Sequence, residues 1–179
     1  MMNLDNNYFA CFKSFATGGS VWLMNGLDKK NSDYSDLITI ACFFAKKGHT
    51  VRLLSSVHYK DPVYRCIFGE LIGTRYYRKC PDLLIDGNFY EYESYKRPFS
   101  SSKISHMLKR GAEQAERIII DNNKGASDRF IVNMIVKRSS DKHFLGSIEE
   151  VFVYEKGNLR RLYYKKAVGS FTSPRSTNP

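Results

Sequence analysis

The sequence predicts an α/β fold in which a central mixed β-sheet carries helices on both faces. Three observations support this prediction. Short apolar runs typical of strands alternate with amphipathic segments typical of helices along the chain. Two of the apolar runs are joined by Asp86-Gly87, a dipeptide that favours a tight hairpin. The composition, with 42% hydrophobic and 14% aromatic residues, is sufficient to bury a core.

The chain length fits one domain of ordinary size, because 179 residues cannot comfortably form two cores. We expect residues 1–20 to be an N-terminal extension without a regular pattern. Residues 21–168 are expected to form the single α/β domain, and residues 169–179, rich in Ser and Pro, a flexible tail.

The first elements alternate between strand and helix. Residues 21–25 predict a strand, and residues 33–48 predict a helix with an apolar stripe that ends at Gly48. Residues 50–57 predict a second strand. A short helix is expected from residue 61, because Asp61-Pro62 is a typical N-cap followed by an N1 proline.

A hairpin is predicted in the middle of the chain. Residues 82–86 and 88–95 are strand-like and flank Asp86-Gly87. A two-residue type I′ turn requires positive φ at both central residues, and Asp-Gly is among the pairs that tolerate it best.

The remaining elements complete an alternating order. Residues 100–117 predict a helix, 117–121 an apolar strand, and 127–138 a helix with Ser127 as its N-cap. Residues 149–166 predict a closing pair of strands around a glycine turn.

The charge of the chain points to a polyanionic partner. Twenty-eight Lys and Arg residues against 18 Asp and Glu give a formal net charge of +10. Nucleic acid is therefore the expected partner. No run of apolar residues approaches the length of a membrane span, and no secretory signal is visible, so we expect no membrane partner and a cytoplasmic location.

The predicted hairpin brings carboxylates together. With a two-residue turn, Asp82 falls opposite Glu91, and Glu93 projects from the same face because side chains alternate along a strand. Adjacent carboxylates must share protons or be bridged by a cation. Oxygen ligands suit Mg²⁺ or Mn²⁺, so Asp82 and Glu91 are the candidate metal ligands.

In a second interpretation, these acids simply lie on a solvent-exposed face of the hairpin. Alternating glutamates are common on the exposed side of an edge hairpin, where they would pair with nearby cations such as Arg78, Lys96 or Arg97. The strongly basic composition favours the metal interpretation, because a nuclease needs Lys and Arg for phosphates around a cation-binding acidic site.

The order of these residues resembles a nuclease motif. Pro81-Asp82, the hairpin and then Glu91-Tyr92-Glu93 are similar to the motif of the PD-(D/E)XK nucleases. That resemblance implies a restriction-endonuclease-like core, metal bound by Asp82 and Glu91, and a catalytic residue at position 93.

A narrower resemblance covers residues 80–165. Their succession of motif, amphipathic helix, apolar strand and closing hairpin is similar to the C-terminal tRNA nuclease domains of bacterial contact-dependent growth-inhibition toxins. This implies a toxin-like bacterial protein that cleaves phosphodiesters.

One motif position departs from the family pattern. Glu93 stands where the motif lysine is usual, and Lys96 is the candidate for the missing catalytic cation if the strand ends or bulges near Ser94. The resemblance does not assign an acid from the first helix, for which Asp36 and Glu70 are weak candidates.

Basic residues interleaved with tyrosines are the candidate nucleic-acid contacts. One group precedes Asp82 and another lies in the terminal hairpin, and we expect both to flank the acids in space. The candidates are Arg75, Arg78, Lys79, Arg97, Lys109, Arg110, Arg129, Arg160, Arg161 and Lys165.

The sequence therefore predicts a metal-dependent nuclease that acts on RNA somewhat more than on DNA. Asp82, Glu91, Glu93 and Lys96 are its candidate catalytic residues. Two alternatives stay open. The domain could be a catalytically silent module that binds nucleic acid or a protein partner in a toxin or mobile-element system. His58 could instead be the base of a metal-independent ribonuclease.

Overall fold

The computed structural model describes residues 7–95, 101–123, 125–140 and 147–165. Within them the chain forms one eight-stranded sheet and four α-helices. The strands are β1 (Phe9–Ser14), β2 (Ser20–Met24), β3 (Thr50–Leu53), β4 (Leu83–Ile85), β5 (Asn88–Glu93), β6 (Arg117–Asp121), β7 (Glu150–Glu155) and β8 (Asn158–Tyr164). The helices are α1 (Tyr34–Ala45), α2 (Pro62–Phe68), α3 (Ser101–Ala112) and α4 (Asp128–Ser139), and a 3₁₀ turn, Gly69–Leu71, follows α2.

The sheet is mixed, and its strands lie in sequence order from β1 to β8. The pairs β2–β3, β5–β6 and β6–β7 are parallel, and the other neighbours are antiparallel. It follows that β2, β3, β5, β6 and β7 run in one direction. Their carboxyl ends meet at one edge of the sheet, which we call the carboxyl edge.

Both faces of the sheet are covered by helices, which confirms the predicted α/β class. On one face α1 packs Leu37, Ile40 and Phe44 against apolar side chains of the strands. On the other face lie α2, with Tyr64 and Phe68, and the pair α3 and α4. We call these the α1 face and the α3 face.

The predicted hairpin is confirmed. Leu83 pairs with Tyr90, Leu84 with Phe89, and the turn residues Asp86 and Gly87 have φ of 46° and 83°. The Asp86 side chain also accepts a hydrogen bond from the Thr50 N–H (2.9 Å), which connects the turn to β3.

The starts of two helices follow the sequence signals. The Asp61 side chain accepts from the Val63 N–H (2.9 Å) at the start of α2, where Pro62 is the first helical residue. Ser127 caps α4 through the Phe130 N–H (3.3 Å). In the described part of the chain, no helix combines the length and apolar character needed to cross a membrane.

Helix α3 is shorter than predicted. It ends at Ala112 instead of continuing to residue 117, although Ala115 beyond its end is still buried. Gly111 lets the last turn approach β6, because a Cβ at this position would lie 2.7 Å from Cγ2 of Ile118. The close approach holds α3 directly over β5 and β6.

Strand β1 was not predicted from the sequence. It pairs with β2 at the end of the sheet, so residues 9–14 are part of the domain and not of an extension. Only Phe9 of its residues is buried, and the pairing is irregular between Cys11 and Lys13. An edge strand with one buried side chain lacks the alternation that marks strands in a sequence. The expected tail, 169–179, lies outside the described residues.

Candidate active site

Three carboxylates lie on the α3 face at the carboxyl edge of β5. The pairing of Leu83 with Tyr90 places Asp82, just before β4, next to Glu91, and Glu93 lies two residues farther on the same side of the strand. The Tyr92 N–H donates to Oδ2 of Asp82 (3.0 Å). The structure thus gathers the three acids in the way the hairpin prediction requires.

The three acids do not form a solvent-exposed face of the hairpin. Glu91 is 9% exposed and Glu93 is 3% exposed, while Asp82 is partly buried. The alternative in which they form an exposed surface is therefore wrong for this structure. Lys96 and Arg97, which that alternative used as partners, lie outside the described residues.

Burial and neighbouring negative charges disfavour the ionised forms of all three acids. Burial raises the pKa of Asp82 to about 6, opposed by the hydrogen bond from the Tyr92 N–H. Burial also raises the pKa of Glu91 well above its usual value, and the charges of Asp82 and Glu93 raise it further. The pKa of Glu93 rises to about 7, mainly through burial and against the attraction of Arg110.

The chemistry of these carboxylates fits a hard divalent cation. Oε2 of Glu91 is buried and has no hydrogen-bond partner, so it can accept a ligand. Among the described residues, no three Asp, Glu, His or Cys side chains are close enough together to hold a metal ion by themselves. Mg²⁺ commonly uses one or two carboxylates, with waters and substrate phosphates as its other ligands. Asp82 and Glu91 supply that number.

The Arg110 side chain of α3 brings a positive charge to the site. Nε of Arg110 lies 3.5 Å from Oε1 of Glu93, while the Arg110 side chain remains 71% exposed. The sequence predicted Arg110 as a nucleic-acid contact, and the structure places it beside Glu93. Lys96, the predicted source of this cation, lies outside the described residues.

Asp33 is a member of the site that the sequence analysis missed. It precedes α1 without capping it, and its Oδ1 accepts from the Ser94 hydroxyl (3.0 Å) just after β5. Its charge contributes to the raised pKa of both Asp82 and Glu93. A Ser-Asp pair before a helix suggests an N-cap, so only the tertiary contact with β5 distinguishes this aspartate.

The two acids suggested for the first-helix position lie elsewhere. Asp36 accepts hydrogen bonds from the hydroxyls of Tyr92 (3.1 Å) and Tyr154 (3.0 Å), whose side chains pack on the α1 face. Glu70 is exposed on the 3₁₀ turn and lines a separate cavity with Arg117. Neither approaches the three carboxylates as Asp33 does.

A polar cleft opens beside Asp82. Its volume is about 210 Å³, and it lies between the loop that follows β2 and the segments that follow β3 and precede β4. Besides Asp82, the side chains that line it include Asp28, Asn31, Tyr34, Ser55, Ser56 and Cys80. This cleft gives solvent and small groups a route to the Asp82 carboxylate.

The first basic group lies next to the site in the chain. Arg78 is exposed, and its guanidinium lies over the rings of Tyr59 (4.3 Å) and Tyr77 (5.4 Å). Arg75 and Lys79 line a cavity of about 400 Å³ that also contacts the end of α3. Arg78 and Lys79 are only four and three positions before Asp82 in the chain.

The two arginines of the terminal hairpin, Arg160 and Arg161, lie on opposite faces of the sheet. Arg160 pairs with Val153 across the sheet, in the same row as Glu93, and binds Asp128 (2.5 Å) and Glu155 (3.2 Å). Arg161 alternates to the α1 face and binds Glu150 (3.4 Å). Arg160 thus shares the face of the acids, and Arg161 does not.

The other predicted contacts are single exposed cations. Lys109 lies in the last turn of α3, Arg129 in the first turn of α4, and Lys165 just after β8. Lys109 is the neighbour of Arg110 on the helix that covers the acids. Arg97 lies outside the described residues.

Comparison with known proteins gives one family match. Residues 79–159 match the family model described as the contact-dependent growth inhibition CdiA C-terminal domain. The match begins just before Asp82, includes Glu91, Glu93 and Arg110, and ends within β8. It supports a contact-dependent inhibition toxin C-terminus for this part of the chain. Neither the curated proteins nor the solved structures contain a significant match to the chain.

Proposed function

We propose that this protein is a metal-dependent nuclease of the PD-(D/E)XK type and that it acts as the toxin domain of a contact-dependent growth-inhibition system. Its substrate is nucleic acid, with tRNA-like RNA favoured over DNA. Toxin domains of the matched family are typically nucleases, and the match covers the candidate site.

One observation carries the proposal. The buried Glu91 carboxylate has an oxygen without a hydrogen-bond partner and lies next to Asp82 and Glu93, in a chain with a net charge of +10. A buried carboxylate that has one oxygen without a partner and lies beside two more acids destabilises the fold unless a proton or a bound cation compensates for its charge. A function that uses a cation explains why such a cluster is built into the core of the sheet.

Asp82 and Glu91 would hold Mg²⁺ or Mn²⁺ as direct ligands. The bound ion would polarise the scissile phosphoryl group and supply an activated water. Glu93 is two residues from Glu91 on the same face, where its carboxylate could orient that water or accept its proton.

Arg110 takes over the electrostatic role of the missing motif lysine in this proposal. Its guanidinium contacts Glu93 and is exposed enough to reach a phosphate oxygen as well. It would stabilise the negative charge that develops on the phosphoryl group, while its contact with Glu93 keeps that carboxylate in place.

The nuclease assay compares substrates and metals directly. Purified protein is incubated with total tRNA or with plasmid DNA in Mg²⁺, Mn²⁺ or EDTA. We expect cleavage of tRNA in Mg²⁺ or Mn²⁺ and none in EDTA, with Asp82→Ala inactive but folded by circular dichroism. Absence of cleavage of both substrates by the unmodified protein would contradict the proposal.

A second candidate function rests on the substituted motif position. Glu93 replaces the motif lysine and forms an ion pair with Arg110, an arrangement that could also stabilise a fold that has lost catalysis. In that case the protein would be a silent module that binds nucleic acid or a protein partner. Nucleic acid that shifts on a gel but stays intact in Mg²⁺ and Mn²⁺ would favour this candidate.

A further inference from the structure

A cluster of tyrosines and cations lies outside the acidic site. The Tyr59 and Tyr77 rings meet edge to face at 6.0 Å, and the Arg78 guanidinium lies over Tyr59 at 4.3 Å. His58 is exposed and packs its ring 4.6 Å from that of Tyr59. We call Tyr59, Tyr77 and Arg78 the aromatic cluster.

The aromatic cluster borders an open cleft of about 570 Å³. That volume is within the range of small-molecule sites. The lining combines aromatic and apolar side chains with two cations, one acid and one thiol, namely Tyr59, Lys60, Asp61, Pro62, Tyr64, Arg65, Cys66, Ile72 and Tyr77. The acid, Asp61, is engaged as the N-cap of α2. Tyr77 is 38% exposed, so a face or edge of its ring is available to a ligand. Aromatic rings next to cations are the surface that unpaired nucleobases and their phosphates bind.

The fold holds the aromatic cluster in place. The buried Tyr64 hydroxyl accepts from the Arg78 N–H (2.8 Å) and donates to the Lys79 carbonyl (3.1 Å). Arg78 has φ of 72°, a left-handed conformation that costs energy for a residue with a Cβ and persists because of these bonds. A ligand therefore meets a preformed surface, which reduces the entropy lost on binding.

The cluster is connected to the acidic site by two chain segments. The Val57 N–H donates to Sγ of Cys80 (3.5 Å), which joins the segment after β3 to the segment before β4. Tyr59 is two positions after Val57, and Asp82 is two positions after Cys80. Asp82 is four positions after Arg78 in the chain, so their Cα atoms are at most about 14 Å apart. A strand of nucleic acid can cover this distance with a few nucleotides.

We propose that the aromatic cluster is a stacking subsite for an unpaired nucleobase a few nucleotides from the phosphodiester at Asp82. This inference rests on the proposed nuclease function and specifies its substrate as single-stranded or looped nucleic acid. A base inside a duplex is stacked on its neighbours and cannot enter the cleft, whereas an unpaired base can stack on the exposed part of the Tyr77 ring. The Tyr59 ring, which is already covered by Arg78 and His58, supports Tyr77 by its edge-to-face contact, and Lys60 and Arg78 bind the backbone.

Binding is measured separately from cleavage. In an Asp82→Asn background without added metal, fluorescence anisotropy follows a labelled, unstructured 12-nucleotide RNA and a duplex of the same sequence at fixed salt. We expect Tyr77→Leu or Tyr59→Leu to weaken single-strand binding by about 5- to 150-fold. Tyr77→Phe should bind like the background protein, because the ring is kept. Phe12→Leu is the matched control, since Phe12 is an exposed aromatic on the edge strand β1 outside the cleft.

An abasic substitution identifies the stacked base. When one base at a time is removed from the RNA, one position should weaken binding to the background protein and have no further effect on Tyr77→Leu or Tyr59→Leu. The inference is overturned if both leucine variants bind the single strand as tightly as the background protein. Equal losses for single strand and duplex, or no measurable binding of the single strand, would overturn it as well.

The outcomes separate this inference from the proposed function. Cleavage by the unmodified protein together with unchanged binding by the leucine variants would reject the subsite and leave the nuclease intact. Ring-dependent binding of single strands without any cleavage would reject the nuclease and leave the subsite as part of a binding module.

Discussion

Glu91 is the residue at which function and stability conflict most directly. Its carboxylate is buried beside Asp82 and Glu93 and has an oxygen with no hydrogen-bond partner. Glu91→Gln removes the charge and keeps the shape. We expect the metal-free variant to be more stable than the unmodified protein at pH 8, by on the order of 1 kcal/mol, and to lose cleavage. Urea unfolding at pH 8 measures this, with Glu70→Gln on the exposed 3₁₀ turn as a control that should change little.

The same residues predict how the metal-free protein responds to pH. Asp82 and Glu93 have pKa values of about 6 and about 7 in the fold, above those of an unfolded chain. The folded state therefore binds more protons than the unfolded state between about pH 4 and 7, and the contribution of these groups to stability falls as pH rises through that window. Glu93→Gln should flatten this part of the stability profile, measured by urea unfolding in EDTA. An unchanged profile would contradict the burial of its charge.

Substitutions of Arg110 test the proposal that its guanidinium takes the role of the lysine usual in PD-(D/E)XK motifs. If the guanidinium assists the reaction, Arg110→Ala should lower the cleavage rate by at least about 10-fold, while Arg110→Lys retains part of it. The two variants are compared under single-turnover conditions with saturating protein, which separates chemistry from binding. Equal rates for all three proteins would show that Arg110 serves only to pair with Glu93.

At the scale of elements, the contact between α3 and β6 positions the helix over the acids. Gly111→Ala would place a Cβ 2.7 Å from Cγ2 of Ile118, so the helix or the Ile118 side chain must shift. We expect a loss of about 1–3 kcal/mol in the free energy of unfolding, despite the better helix propensity of alanine. Gly69→Ala is the matched control, because that glycine has φ of −57° and nothing within 4 Å of a Cβ. Urea unfolding of both variants tests this, and equal stabilities would contradict it.

The elements with local signals were predictable, and those defined by tertiary contact were not. The turn at Asp86-Gly87 and the cap at Ser127 follow from rules that act within a few residues, and the structure has both. The strand register then placed Asp82, Glu91 and Glu93 together. Strand β1 was missed because an exposed edge strand is stabilised by backbone pairing with β2 rather than by an apolar pattern.

The candidate site also combines residues that local sequence rules predict with residues that only tertiary contacts bring together. Asp33 joins the acids only through the meeting of the loop before α1 with the end of β5, contacts that no sequence spacing encodes. Arg110 reaches Glu93 because α3 folds back over the strand. Long-range side-chain contacts of this kind depend on how whole elements pack, so a single sequence predicts the residues on one hairpin better than those that join it from elsewhere.

At the scale of the whole molecule, the cations behind the net charge of +10 do not all lie near the acids. Arg78 is near the site, whereas Arg161 lies on the α1 face and is engaged by Glu150. We expect Arg78→Ala to reduce the slope of log affinity against log salt by about 1, and Arg161→Ala to leave it unchanged. Anisotropy titrations at several salt concentrations give the slopes. Equal effects of the two substitutions would show that binding does not depend on the face that carries the acids.

In the proposed function, Asp82 and Glu91 form a divalent-metal site that cleaves nucleic acid. The most direct test is the initial rate of tRNA cleavage as a function of Mg²⁺ concentration for the unmodified protein and for Glu91→Gln. We predict a rate that rises to saturation with Mg²⁺ and disappears in EDTA, and a loss of at least about 100-fold in the variant, which remains folded and still binds tRNA. Cleavage that persists in EDTA, or that is the same in Glu91→Gln, would contradict the claim.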